Sequence, residues 1–274
     1  MREDIGELDS IVMKEIANFL HPINPGAVYR ATIDRTGWSI DFVCPYEIKG
    51  RVKIEREAWV KYNSRIRRKI GFNATRIRKI FSVMRREENV EIEISENCII
   101  GKWRDLNLTW THTLEEVTYE SNDYLLPERI KYNMKFDLSK EIRNIRDAIK
   151  AVKKLNKRWE NIVLYFKQGT LRIFACDIFY RLQEGRLLSN IEIEPVIVIE
   201  LPELDYQGEI IEKYSFKEFE NMVKYAKEHL IFAFGSENIL RVTFKMRKNV
   251  RVITYLLPRD TNKKEREELK RVIN

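Results

Sequence analysis

Cysteine, glutamine and histidine are scarce in this 274-residue chain. Its three cysteines, Cys44, Cys98 and Cys176, are odd in number, far apart and without CxxC spacing. A disulfide framework and a cysteine zinc site are thereby excluded, and thiols buried in a reducing cytosol are expected. The three histidines, His21, His112 and His229, are scattered, with no HExxH or HxH spacing. The sequence also lacks a Walker A loop, a GxSxG elbow and a GxGxxG turn. Glu192 and Glu194 lie on an alternating strand and read as one solvated face. No catalytic residue, metal or cofactor is expected. No apolar run approaches the ~18 residues of a membrane span, and the opening MREDIGELDS has no signal-peptide core. Only three glutamines beside abundant Ile, Glu, Lys and Arg resemble a thermophile's composition.

Charge is plentiful and segregated. Charged residues make up 34% of the chain and the formal net charge is +8. Lys61–Arg86 holds ten basic residues and no acid, and Lys140–Arg158 holds eight against Glu141 and Asp147. Leu114–Glu128 and Ile191–Glu212 hold five and seven acids and no base. One basic surface turned towards a polyanion suits that separation, with nucleic acid the first candidate.

Helical periodicity marks four stretches. They are Leu8–Leu20, with a cap at Asp9 or Ser10; Asn73–Arg86, capped by Asn73; Ser139–Leu155, capped by Ser139; and Ser215–Leu230. Ser215 and Glu218 fit a capping box in the last. Between them run short segments read as antiparallel strands, among them VEIEI, IVLYF, TLRIFAC and LRVTFKM. The order repeats: a helix, a strand, Ser95-Glu96-Asn97 and a strand in one half match a helix, a strand, Ser236-Glu237-Asn238 and a strand in the other. The fold class is α+β with two similar domains, 1–113 and 132–260. An acidic connector over 114–131 joins them, and a charged tail over 261–274, able to form a helix, follows.

The helix faces opposite the apolar stripes carry the candidate chemistry. They present Arg78, Lys79 and Arg86 on the second helix, and Lys140, Arg143, Lys150 and Lys154 on the third. The fourth presents Lys217, Asn221 and Lys224. The first offers only Lys14 beside Met13, Ala17 and Asn18. Such side chains suit phosphates rather than bases, so sequence-independent binding of double-stranded DNA is expected.

At this point the chain resembles the proliferating cell nuclear antigen (PCNA) family of DNA sliding clamps. The resemblance rests on KYSFKEFENMVKYAKE through LRVTFKM to VITYLLPR, on REAWVKYN, on YLLPERI and on KFDLSKEIRNIRDAIKAVKKL. It implies a DNA-clamp fold whose helices line a pore, a ring of three like or unlike subunits, and no enzymatic activity of its own. It further implies partners that carry a PCNA-interacting motif: a DNA polymerase, a clamp loader, a nuclease or a ligase. Their docking pocket would be walled by Tyr255, Leu256, Leu257 and Pro258 and by Tyr124, Leu126 and Pro127, with Phe42 and Val43 as a third wall. The subunit interface would pair Leu106–Leu114, through Leu108, Trp110 and His112, with Phe179–Leu188, through Tyr180, Leu182 and Leu187.

Three features depart from the family pattern: the positive net charge, a charged REDIG where the family has a first strand, and the added tail. They leave room for a basic monomeric or dimeric processivity factor that holds DNA by charge, for a repair or checkpoint-type clamp subunit, and for a clamp-fold enzyme. The family places the protein with the chromosome: in the cytoplasm of an archaeon or virus-infected cell, or in a eukaryotic nucleus.

Overall fold

The computed structural model describes residues 3–64, 67–82, 88–103, 108–118, 130–155, 159–183, 186–201, 208–235, 238–259 and 263–273. For Asn133, residues 180–183 and 186–190, Lys263 and Lys264 only the backbone is described. The chain divides into two compact units. The first comprises 1–128 with Thr243–Tyr255, and the second 129–242 with 256–274.

In the first unit the elements are β1 (Glu3–Asp9), α1 (Ser10–Leu20), β2 (Val28–Asp34), β3 (Gly37–Cys44), β4 (Ile48–Glu55), β5 (Lys61–Tyr62), β6 (Arg68–Asn73), α2 (Ala74–Ser82), β7 (Asn89–Ile94), β8 (Cys98–Trp103) and β9 (Leu108–Thr113). From the second unit come β10 (Tyr132–Asp137), α3 (Ile142–Leu155), β11 (Asn161–Lys167), β12 (Thr170–Gln183), β13 (Arg186–Glu200), β14 (Glu209–Ser215), α4 (Phe216–Tyr225) and β15 (Glu228–Gly235). Then follow β16 (Leu240–Arg247), β17 (Val250–Leu256) and α5 (Lys263–Ile273).

The repeat read from the sequence extends to strand pairing. β2 pairs antiparallel with β3 and β6, and β11 likewise with β12 and β14. β1 pairs with β7 as β10 pairs with β15. β3 pairs with β4 as β12 pairs with β13. One sheet runs β5-β1-β7-β8-β9 and another β13-β12-β11-β14, while within the first unit β17 flanks β4 in the order β17-β4-β3-β2-β6. By this correspondence β17 is the counterpart of β9, and β4 of β13. The domain boundary drawn from sequence differs here, because Thr243–Tyr255 packs with the first unit.

Charge does not prevent β1 from forming. Ile5 and Leu8 are buried while Glu3, Asp4, Glu7 and Asp9 lie at least partly open, and an irregularity between Asp4 and Gly6 breaks strict alternation around Ile5. Asp9 then caps α1, accepting the Ile11 N–H at 2.9 Å. Met13 and Ala17, assigned to the open face of α1, are instead buried with Val12, Ile16, Phe19 and Leu20. Phe19 meets Phe42 edge-on, with ring centroids 5.6 Å apart. In α4 Ser215 holds the N-cap position but makes no side-chain capping bond. That helix also ends at Tyr225, where Ala226 turns extended and Glu228–Leu230 enter β15.

Candidate nucleic-acid interface

The clearest basic face belongs to α3. Asp137 accepts the Ser139 N–H at 2.9 Å, and the short 3-10 turn over Ser139–Glu141 leads into the helix. Ile142, Ile145, Ile149 and Val152 turn inward and are buried. That spacing leaves Lys140, Arg143, Lys150 and Lys154 exposed. Asp147 sits 3.2 Å from Lys150 Nζ and 3.8 Å from Arg143 Nε. All three side chains are solvated, so these pairs hold the cations weakly and leave them available to a polyanion. Arg146 is used differently: it donates to the Ala226 carbonyl at 2.5 Å and ties α3 to the end of α4. Lys153 reaches Glu220 at 2.6 Å. Ser139, Lys140, Arg143, Arg146, Asp147, Lys150 and Lys227 line a cleft of about 530 Å³. Lys227 escaped the sequence reading because it was placed inside a longer fourth helix; it lies just beyond the end of α4.

The other helices are less uniform. Lys217 and Lys224 are exposed on α4, but Asn221 is buried rather than outward. Arg78 and Lys79 are exposed on α2, with Arg78 Nε donating to Asn18 on α1 at 3.0 Å. Asn73 caps α2 as expected, accepting the Arg76 N–H at 3.0 Å. Arg86 lies outside the described residues. Lys14 is half-buried and belongs to no basic stripe. Burial and the neighbouring Arg78 hold the His21 imidazole below its usual range.

Two of the strands that end their sheets, β9 and β13, bear on the expected subunit interface. β9 ends its sheet, and the Leu114 N–H beyond it donates to Asn97 O at 2.7 Å. By alternation Leu108, Trp110 and His112 point their N–H groups at β8, and Thr109, Thr111 and Thr113 carry the outward backbone groups. The expected side-chain contact at this edge is corrected. Trp110 packs on Phe81 and Trp103, at 5.8 and 6.1 Å, and lies so close over Gly101 that a Cβ there would strike the indole. His112 is 3% exposed, and only Leu108, at 49%, faces outward. β13 ends the other sheet, whereas β12 lies inside it with β11 and β13 on either side. That flanking by β11 covers Thr170–Cys176; Phe179–Gln183 extends beyond it and pairs with β13 alone among the described residues, while Arg186–Glu200 is the strand that ends the sheet. The side chains of Tyr180, Leu182 and Leu187 lie outside the described residues.

No family model and no curated protein sequence matches the chain. Solved structures do. Archaeal PCNA from A. fulgidus, in a complex with the C-terminal region of FEN-1, matches with a TM-score of 0.68 at 17% identity, over 96% of this chain and 100% of that one. PCNA from Entamoeba histolytica matches at 0.70 and 11% identity, over 95% and 100%. A PCNA2–PCNA3 complex from Sulfolobus tokodaii matches at 0.65 and 13%, over 94% and 99%. The chain has the clamp fold.

Within the clamp fold the pocket residues separate. Phe42 is fully buried, facing Phe19 and Tyr29, and cannot wall an open pocket. Val43, one step on, turns to the other face of β3 together with Asp41. A Cβ on Gly50 would lie 3.0 Å from Thr254 Cα, which sets Tyr255 one step along β17, beside Lys49, the partner of Val43. Tyr255 is 5% exposed, Leu256 is fully buried, and Leu257 and Pro258 are half-buried. Tyr124, Leu126 and Pro127 lie outside the described residues. Among the described residues no group of His, Cys, Asp and Glu could hold a metal ion, and no helix is long and apolar enough to cross a membrane.

Proposed function

We propose that the chain is a DNA sliding clamp: a ring subunit that holds duplex DNA without reading its sequence and serves as a platform for replication and repair enzymes. The observation that carries this reading is the exposed basic face of α3 in a clamp fold, repeated more weakly on α2 and α4. Lysine and arginine contacts to phosphate are salt-sensitive and independent of sequence, which lets a bound ring move along the duplex. The chain itself performs no chemistry. Its work is topological, and a polymerase, clamp loader, nuclease or ligase supplies the reaction.

Ring closure follows from the repeat. β17 already pairs with β4, and a second copy's β9 placed on β13 would reproduce that pairing with the corresponding strands. Such head-to-tail contacts close into a ring when the rotation permits it. The docking pocket is assigned to Val43, Tyr255, Leu257 and Pro258 with the connector residues Tyr124, Leu126 and Pro127. The solved A. fulgidus PCNA that holds a FEN-1 C-terminal region supports a peptide-docking role.

The test is retention of the protein on DNA loaded by its clamp loader. Closed circular duplex should hold it and linear duplex should lose it through the ends. Replacing Lys79, Arg143 and Lys150 with Ala should weaken binding and lower the salt slope by about one for each phosphate no longer neutralised. Equal retention on both DNAs would instead favour the basic monomeric factor.

A further inference from the structure

The tail helix α5 lies on the face of the β13-β12-β11-β14 sheet that carries Val163 and Tyr165, the face away from Ile162, Leu164 and Phe166. Three of its side chains, from the first turn to the last, reach β14. Lys213 and Glu265 form a buried pair at 3.5 Å, Arg266 meets Glu212 at 3.0 Å, and Lys270 meets Glu209. Leu269 is fully buried among Val163, Tyr165, Phe174, Cys176 and Ile211. Ile273, in the last turn, packs against the same cluster, as do Ile178 of β12 and Ile191 and Ile193 of β13. The helix therefore lies against both end strands of the sheet, β14 and β13.

β13 has no second partner strand among the described residues. Ile191, Ile193 and Ile273 are only half-buried, and Val272 is 53% exposed. An incomplete apolar strip thus runs beside a strand that, among the described residues, has a partner strand on one side only. The unpaired strand that matches it in character is β9: from Leu108 to Thr113 it carries no Lys, Arg, Asp or Glu, and its outward backbone groups belong to three threonines. The pairing of β17 with β4 supplies the pattern for the docking.

We propose that the last turn of α5 is part of the contact between copies of this chain, with Val272 and Ile273 packing beside a second copy's β9 when it pairs with β13. The inference rests on the ring reading above and adds to it an element outside the repeated domains. In this arrangement the tail both covers a sheet face and widens the seam, so the strength of subunit association depends on whether α5 is docked.

The experiment measures subunit mass against protein concentration for the full chain, by light scattering or sedimentation. Val272→Asp alters an exposed position and should leave the thermal unfolding midpoint in place. It is expected to raise the concentration of half-dissociation at least ten-fold. Thr111→Pro removes an outward N–H of β9 without touching the bonds to β8, and should raise it at least a hundred-fold. If Val272→Asp leaves association unchanged while Thr111→Pro abolishes it, the α5 contact is overturned and the edge-to-edge ring stands. Intact association in Thr111→Pro would overturn the edge pairing itself. A wild-type chain that stays a single subunit at every concentration would overturn both.

Discussion

The two units share a topology and finish the second face of their outer sheets in opposite ways. In the first unit that face is polar. Asp41, 4% exposed on β3, receives Arg30 from β2 at 2.9 Å and Arg51 from β4 at 2.5 Å. In the second unit the corresponding face is apolar, with Val163, Tyr165, Phe174 and Cys176 buried beneath α5. A sheet face can therefore be completed in one fold by a cross-strand ion triad whose buried carboxylate is covered by partly solvated arginines, or by an extra helix that removes water. The first solution needs each charge to keep its partner. The second needs the helix to stay docked.

The comparison can be broken most severely at Leu269. Leu269→Asp places a charge in the centre of the covered face, and undocking α5 should cost about 3 kcal/mol. Chemical denaturation would show the loss, with an apolar dye binding the uncovered sheet, and an unchanged midpoint would mean that α5 does not seal this face. Asp41→Ala should cost less, about 1–2 kcal/mol, because Arg30 and Arg51 keep partial access to water.

Acid should divide the units more gently and in opposite directions. His112 is buried and its imidazole is held below the ordinary value, mainly by desolvation. The unfolded chain therefore takes up the proton first, and the first unit loses stability as pH falls below about 6.5. Glu212 is raised by burial, an effect that outweighs the opposing influence of Arg266. Its charge is a cost in the folded state that is relieved as pH falls, so this group moves the second unit the other way. Hydrogen exchange followed unit by unit from pH 7 to 5 should show faster opening around β9 without a matching loss around β14. The smallest effect is expected at Asp137, which accepts from both the N–H and the hydroxyl of Ser139. Asp137→Ala should cost about 0.5–1 kcal/mol in a thermal melt.

Much of this was legible in the sequence where a periodicity had a single partner to satisfy. The α3 stripe Ile142, Ile145, Ile149 and Val152 and its basic opposite face emerged intact. The helix and strand order of the two halves is part of a wider repeat of pairings, while Ser236 and Glu237 of the second matching turn lie outside the described residues. The losses have physical reasons. IVLYF and TLRIFAC are nearly unbroken apolar runs, the mark of a strand covered on both faces. Taken as ordinary alternating strands, they gave no hint that the charged tail was their second cover. β1 was obscured by its four acids and by the irregularity between Asp4 and Gly6, which breaks the alternation a strand is read from. Phe42 and His112 carried site chemistry by position in the chain, but alternation turned both into the core. The strand edges were harder still, because Phe179–Leu188 straddles the tip of one hairpin and only pairing reveals which arm is free.

The place of β17 also sets the order in which the molecule can be finished. β4 leaves the ribosome long before Val250–Leu256 does. At ordinary rates of synthesis the wait is about 10–40 s. Throughout that interval β4 is an unpaired strand on a half-made unit, with nascent copies on the same message close at hand. Lys49, Arg51 and Lys53 alternate along it, the kind of charge that discourages a stray strand from adding to an edge. The first unit to be started is thus the last to be closed, and its own C-terminal strand must reach β4 before a neighbour's does.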